Sequence, residues 1–449
     1  MKTGAGGITI LILLKITWSI WLNGQNSIKI IINKKEDKMR TNKYLVVSMA
    51  MSLAVTIGVG FSSCKKDEPT PVIVENPLDA EVYYIAGKVI SENNALEGVK
   101  VSASSVEATT AADGTFQLEM KSKDDCIVTF EKSGYVTVTA EVGFPADAKK
   151  QSIVLLSQEL ETKNPPVTIS SDVEQTVIEV KRKMIELTFP AGAVKSATDI
   201  TVTAYKEGAK KTQAGTVRAS LSTVNCEPDG QSFEKPIELR MKNPTGKGVY
   251  FADVKHYVEK NGVWSETGAA DYNGNGYYVT SIDGFSNHSF GVPCSSQKGT
   301  SKTENLKSIV IDNLGKMDSQ EQSIDVTSHL GWKIDGTTSD LLKKQLAGLS
   351  DSDITALSGA VELTLASLVG GAPSVGEMTL KRDARISGDM KTTVSIVERT
   401  TTTVFSFPVV FGGQTVALTI PVVKYDGVDL VITTEKGASH GTHSGGSGE

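Results

Sequence analysis

Five histidines, four cysteines and 52 carboxylates are the stock from which this chain of 449 residues could build a reactive site. Few of them stand in a pattern that chemistry requires. His288 draws notice first, because Ser286, Asn287 and Ser289 surround it, and a base beside hydroxyls is what nucleophilic catalysis uses. The stretch is not a GxSxG elbow, however, and spacing supplies no acidic partner, so a structural histidine is expected. His256 and His329 are solitary in sequence and are expected at the surface or in the core. The run from Asp271 to Gly276 begins like a calcium loop, with oxygens on Asp271, Asn273 and Asn275 and glycine at its sixth position. Its twelfth position is Ile282 instead of a bidentate glutamate, so an Asn-Gly hairpin turn between Trp264 and Tyr277-Tyr278 is the expectation. His440 and His443 lie in a glycine-rich tail, where two imidazoles would hold zinc only loosely. HExxH, P-loop, GxGxxG and GxSxG patterns are all missing, and neither a catalytic residue nor a cofactor is expected.

One cysteine is placed unlike the others. Arg40 and Lys43 precede an apolar run from Tyr44 to Val59, and Ser62-Ser63-Cys64 closes it with small residues. Residues 39–64 resemble a bacterial lipoprotein signal, which implies cleavage before Cys64 and a thiol that carries diacylglycerol. Phe61 departs from the small aliphatic residue usual three places before that cysteine, although aromatic residues occur there in lipoproteins of Bacteroidota. Residues 1–38 hold another apolar run, but Lys15 interrupts it and it is shorter than the roughly 20 residues of a membrane span. They are read as an over-extended start, with Met39 as initiator. Residues 64–81 read as a tether, and its Lys65-Lys66-Asp67-Glu68 resembles the signal that sends such lipoproteins to the outer face of the outer membrane. Cys126, Cys226 and Cys294 are left, enough for one disulfide at most. Cys226 with Cys294 is the pairing to test, against three buried free thiols.

The net charge is −6, and the first 63 residues carry eight basic and two acidic groups, so the mature chain has 38 basic against 50 acidic residues, a net −12. A phosphate-neutralising footprint is missing, which excludes nucleic acid as the expected partner. With 39% hydrophobic and 6% aromatic residues, several small modules fit better than one large enzyme, and abundant Thr, Val and Gly point to β-structure.

Residues 82–157 alternate apolar and polar positions between turns at Asn93-Asn94, Asp113-Gly114 and Ser133-Gly134. Gly87-Lys88-Val89, Leu96-Glu97-Gly98-Val99, the stretch from Thr110 to Leu118 and Lys132-Ser133-Gly134-Tyr135 resemble the carboxypeptidase-regulatory-like domain. That resemblance implies a transthyretin-like β-sandwich with a non-catalytic docking or spacing role. Residues 167–293 follow the stiff Asn164-Pro165-Pro166. Met184–Val194, Asn225–Pro244 and His256–Val292 resemble a divergent ZU5-type domain, which implies a second, protein-binding β-sandwich. Trp264, Tyr277 and Tyr278 form the close aromatic group that could supply a ligand face.

Past a Ser/Lys/Thr-rich segment read as a linker, residues 304–435 read as an α+β region. One or two short helices are expected between Ser339, as N-cap, and Gly370-Gly371. Long Ser/Thr-rich strands follow from Gly376, with hairpin turns at Gly412-Gly413 and Asp426-Gly427. Residues 390–407 resemble the insertion strands of aerolysin-like toxins, whereas Glu398-Arg399 and Pro408 are costly in a lipid-spanning ladder. Residues 436–449 read as a disordered Gly/Ser/His tail.

The fold class expected is therefore mostly β, with tandem β-sandwich modules and a C-terminal α+β region containing long Ser/Thr-rich strands. The function expected is non-catalytic binding, adhesion or scaffolding by a lipid-anchored protein of the outer membrane facing the exterior, its partner a protein or a glycan. The alternatives are a pore-forming protein using the C-terminal hairpins, and a hydrolase with its site in residues 304–435.

Overall fold

The computed structural model describes residues 81–206, 218–246, 248–260, 263–370 and 375–437, together with two short strands nearer the N-terminus. The chain divides into Met1–Val72 and Ile73–Glu449. In the first unit β1 (Leu22–Asn23) pairs antiparallel with β2 (Ser27–Ile28). The signal-like run with Cys64, the residues read as a tether, and His440 and His443 lie outside the described residues. The second unit is mostly β and carries several separate sheets.

Its first module contains β3 (Tyr83–Ser91), β4 (Asn94–Ala95), β5 (Lys100–Ala103), β6 (Val106–Thr109), β7 (Thr115–Met120), β8 (Cys126–Glu131), β9 (Val138–Val142) and β10 (Ile153–Glu159). Strands β6, β5, β8 and β9 form one sheet, while β4, β3, β7 and β10 belong to the other. Period-two alternation turns Ile85, Val89, Val101, Phe116, Leu118, Val128 and Phe130 inward to one core. There the Phe116 and Phe130 rings meet edge to face at 5.6 Å.

The second module contains β11 (Val167–Ile169), β12 (Gln175–Ile178), β13 (Ile185–Phe189), β14 (Thr198–Tyr205), β15 (Arg218–Glu227), β16 (Ser232–Lys242), β17 (Val249–Phe251), β18 (Lys255–Lys260), β19 (Val263–Ala269), β20 (Asp271–Tyr272), β21 (Tyr277–Gly284) and β22 (Asn287–Pro293). One sheet runs β11-β14-β15-β22-β18-β19 and the other β12-β13-β16-β21-β20. Strand β17 leaves this sandwich and pairs elsewhere.

The C-terminal region contains β23 (Ser295–Asp312), β24 (Gln320–Leu330), β25 (Trp332–Ile334), α1 (Thr338–Gln345), α2 (Asp351–Val369), β26 (Gly376–Ile386), β27 (Met390–Phe411) and β28 (Gln414–Lys436). Three expectations are corrected here. The polar segment after Pro293 is no linker: it is the first half of β23, whose backbone pairs with β27 from Ser295↔Ser406 to Asp312↔Lys391. Composition misleads because this edge strand is largely exposed, and hydroxyl contacts such as Ser308 to Ser395 at 2.9 Å replace apolar ones. The first helix is capped by Thr337, not Ser339, and the second by Ser350; their hydroxyls accept the Asp340 and Asp353 N–H groups. Gly412-Gly413 does turn the β27–β28 hairpin, but Asp426-Gly427 makes no turn, and β28 runs through it.

Asp426 is instead the extra residue of a β-bulge, since Arg399 pairs with Gly427 and Thr400 with Tyr425. Beyond the bulge Val428 and Gly427 pair with Ile153 and Val154 of β10, so the first sandwich is joined to the long hairpin through backbone. At the other end β27 takes up β17, with Val249↔Phe411 to Phe251↔Val409. The hairpin thus carries both sandwiches, and its two faces are used at opposite ends. Near the turn, Phe407, Val409, Leu418, Ile420 and Val422 enter the core of the second sandwich together with both helices. Near the open end, Val394, Ile396, Val428 and Leu430 join Tyr84, Ala86, Ile153 and Leu155 beneath the two-stranded β24–β26 sheet.

Gly427 is fixed by close approach: at φ +140° it admits few other residues, and a Cβ there would lie 1.9 Å from the Ile153 carbonyl oxygen. Gly427→Ala is expected to cost about 3 kcal/mol and to make the first sandwich separable by limited proteolysis. Urea unfolding with mass analysis of the fragments checks this, and an unchanged midpoint with an intact digest would refute the role of the join.

Candidate functional site

At one end of the second sandwich a cleft of about 330 Å³ is lined by residues including Gln231, Lys260, Asp283, Ser286, His256 and His288. Strands β18 and β22 place the two imidazoles there. They pair antiparallel with Val258↔His288 and His256↔Phe290, which sets the histidines diagonally on one face. Their rings stack at 5.2 Å and 15°, against Phe290 at the inner end. His256 is therefore not solitary, as its sequence position suggests, because residues 32 apart become neighbours only when their strands pair.

Hydrogen bonding assigns the protons from one end of this pair to the other. The Gly284 carbonyl can only accept, so His288 Nε2 donates to it at 3.2 Å. His288 Nδ1 is then an acceptor and receives the His256 Nε2–H, also at 3.2 Å. His256 Nδ1, the acceptor of a neutral ring whose Nε2 donates, lies 2.5 Å from Thr267 Oγ1, whose single proton it shares with the His256 carbonyl at 3.2 Å. Both rings are neutral in this arrangement, and each ring nitrogen has a partner. Burial above all pushes His256 down to about 3, helped by His288 and Arg218. Burial likewise brings His288 to about 4, although its bond to Gly284 and the charge of Asp229 work the other way.

The hydroxyls that flank His288 in sequence are otherwise engaged. Ser286 donates to the Glu259 carbonyl, and Asn287 donates to the Glu259 carboxylate at 2.6 Å. Ser289 faces the opposite side of the sheet, where it accepts from Arg218 at 2.8 Å beside Ser220 and Thr223. The Arg218 guanidinium lies between the rings of Tyr257 and Trp264, at 4.4 and 4.5 Å. Helix α2 packs over this side, with Ser367 Oγ accepting the Ser220 N–H. This buried Arg–aromatic stack escaped sequence reasoning, since its three residues come from three strands.

The remaining expected positions separate. Trp264 and Tyr278 are both buried, on opposite sheets, so with Tyr277 they form no common ligand face. Tyr277 donates to Glu186 at 2.9 Å, and Tyr278 hydrogen-bonds both backbone groups of Phe251. In the turn after β20, Asn273 Oδ1 accepts from the backbone of Asn275 and Tyr277, which commits the oxygen a cation would need. Among the described residues no three His, Cys, Asp or Glu side chains are grouped to hold a metal.

Cys126, Cys226 and Cys294 are free, which corrects the disulfide pairing. Cys294 follows Pro293, which faces Arg218, whereas Cys226 lies eight residues further along β15, about 26 Å away at the usual rise per residue. A disulfide needs Cα atoms within roughly 7 Å. Burial pushes the Cys294 thiol up to about 11 and that of Cys226 higher still.

His329 is not solitary either: its Nδ1 lies 3.0 Å from both oxygens of buried Glu398, which also accepts the His329 N–H and the Ser328 hydroxyl. In the C-terminal region a second cleft, about 230 Å³, is lined by residues including Lys298, Thr401, Thr403, Lys424 and Asp426. Its titratable side chains are Lys298, Lys424 and Asp426, and the Asp426 carboxylate accepts the Thr401 hydroxyl.

No family model matches the chain, and no curated protein matches it. Among solved structures it is similar to a pore-forming toxin candidate from Bacteroides vulgatus, at 9% identity over 80% of this chain and 94% of that one, with a TM-score of 0.29. A membrane-associated protein of unknown function from Bacteroides fragilis is 8% identical over 79% and 99% of the two chains, with a TM-score of 0.34. At such identities and scores the likeness fixes neither chemistry nor partner.

The histidine pair sets a pH dependence. Both rings have folded values below the unfolded 6.5, so the native state binds fewer protons, and stability falls as pH drops from about 6.5 toward 4 and 3. At pH 5 the loss is expected to reach about 2 kcal/mol for each histidine. Urea unfolding at pH 7.5 and pH 5 checks it against His288→Asn, which is expected to lose less on acidification; an equal loss would exclude the pair as the cause.

Proposed function

We propose that this is a lipid-anchored protein of the outer membrane, facing the exterior, whose joined β-modules form a non-catalytic scaffold for a protein partner. The observation that carries the reading is the continuous hairpin of β27 and β28. Its 23-residue second strand is about 75 Å long and holds one sandwich through β10, while its first strand holds the other through β17. A protein recognised by both modules would meet surfaces whose relative placement is already set, which lowers the ordering cost of binding. The anchor rests on the sequence ending at Cys64. A protein partner fits better than a glycan because Trp264 and Tyr278 are buried, which removes them as a stacking platform.

Three measurements on intact cells test this together. Labelled fatty acid is expected on the wild-type chain and not on Cys64→Ser, external protease is expected to remove the protein, and crosslinking with pull-down is expected to recover one envelope or host protein. A soluble, unlabelled wild-type protein would overturn the anchor, and resistance to external protease without permeabilisation would overturn the exterior placement. Hydrolysis of a substrate that survives mutation of neither His256 nor His288 would overturn the non-catalytic role.

Membrane perforation is a second reading, and one observation favours it. Strands β24 and β26 form a two-stranded sheet of 11 residues each, the length that crosses a bilayer, with Ile324, Val326, Met378 and Leu380 on its buried face. Arg382 lies in the middle of that same face, over Tyr84 at 3.6 Å and bonded to Gln117 at 2.7 Å. A guanidinium at mid-membrane depth opposes insertion by about 2–4 kcal/mol. Dye-loaded liposomes are expected to stay sealed with the wild type across a pH and concentration series. Release that a crosslink between β24 and β28 abolishes would establish perforation instead.

A further inference from the structure

We infer that the loop between β23 and β24 is a lipid-contacting tip that rests on the membrane to which the chain is anchored; this rests on the anchored reading above. Residues 313–319 display apolar side chains from a tightly held backbone. Met317 is 99% exposed, Leu314 41%, and Val310 on the adjoining strand 55%. Asn313 Nδ2 donates to the Asp318 and Ser387 carbonyls at 2.7 and 3.1 Å. Asp389 accepts the Gly315 N–H at 3.0 Å on its carboxylate and donates its own N–H to the Lys316 carbonyl at 2.7 Å. Close backbone packing at Gly388, where a Cβ would meet the Met317 carbonyl oxygen at 2.3 Å, seats the loop on the β26–β27 connection. A fixed loop that turns a methionine and a leucine outward spends its polar groups on its own backbone and leaves the apolar ones for a partner.

Strand polarity says which partner. Strand β10 runs antiparallel to β28 and parallel to β3, so the N-terminal end of β3 points toward the end of the hairpin where Met390 pairs with Lys436, beside this loop. The chain enters β3 at the level where Ile153 pairs with both Tyr84 and Val428. The tip lies eight residues of β28 further on, from Val428 to Lys436, or roughly 26 Å. Sixteen residues separate Cys64 from Glu81 and span at most about 55 Å. An acylated Cys64 can therefore lie in the bilayer while the tip touches its surface. Lys316, Lys391 and Lys436 are nearly balanced by Asp312, Asp318, Asp389 and Glu435, so the contact is apolar and does not require anionic lipid. Two side chains bind weakly alone, and the anchor supplies the local concentration that makes them sufficient.

The test places an environment-sensitive fluorophore on Met317→Cys, with Thr415→Cys at the opposite hairpin turn as control. The background is full-length lipidated protein carrying Cys126→Ser and Cys294→Ser, since Cys226 is buried. On reconstitution into phosphatidylcholine vesicles, the probe at 317 is expected to lose quenching by aqueous iodide and to gain quenching by brominated acyl chains, while the control changes in neither. Protein that floats with vesicles while the probe at 317 stays as accessible as the control overturns the tip contact and leaves the anchor standing. Shielding of 317 without vesicles, with a doubled mass in solution, assigns the surface to a second copy and also overturns it. Wild-type protein that does not float at all overturns the anchored reading together with the tip.

Discussion

Two residue pairs of backbone, Ile153↔Val428 and Val154↔Gly427, join the first sandwich to the rest of the unit. That join exists because the bulge at Asp426 shifts β28 by one residue and brings a glycine to the point of contact. Side chains then surround it. Arg399 pairs with Asp429 at 3.1 Å, Ser152 bonds the same carboxylate, and Ile153 and Leu155 enter a core shared with Ile396 and Leu430. A short backbone contact would be weak alone. Flanked by an ion pair and a common apolar core, it becomes one seam of the module, alongside Tyr205 in the first core and the Lys206–Glu159 and Arg182–Glu161 pairs to the second sandwich.

The buried charges hold the long Ser/Thr-rich strands in one packed register. Glu398 is directed to the β24 side, where it takes Ser328 and His329, while Arg399 is directed to the other face, toward Asp429. Slipping β27 by one residue would exchange these faces, leaving a carboxylate and a guanidinium each buried without its partner. Buried ion pairs contribute little net stability, but losing one partner costs several kcal/mol. Their effect here is to fix the register of a repetitive sequence in which Thr400 to Thr403 could pair in more than one way.

Much of the fold was legible because local rules decided it. Alternation over Thr115–Met120 and Cys126–Glu131, the turn at Gly412-Gly413 and the helices expected before Gly370 each needed only near neighbours. What escaped was long-range. Asp426-Gly427 has the composition of a turn, and only the Ile153 carbonyl shows that its glycine answers to close approach. Ser295–Asn305 has the composition of a linker, and only its ladder with β27 makes it a strand. The candidate site was half visible: His288 stood out by type, but His256, Thr267 and the Gly284 carbonyl meet it through sheet pairing, and they turn a possible base into a neutral, fully engaged ring.

This engagement bears on the choice between catalysis and scaffolding. A general base needs a free lone pair aimed at substrate and a pKa near the working pH. His288 has neither, since one nitrogen donates to a carbonyl, the other accepts from His256, and burial holds the ring deprotonated. Freeing it would mean breaking its bonds to both the Gly284 carbonyl and His256. The pair is better understood as a polar seal, matching donors to acceptors across strands where an apolar side chain would leave the Gly284 carbonyl unsatisfied. A module sealed in this way gains rigidity at its end, and rigidity is what a surface needs when its neighbour is held at a fixed distance along a shared hairpin.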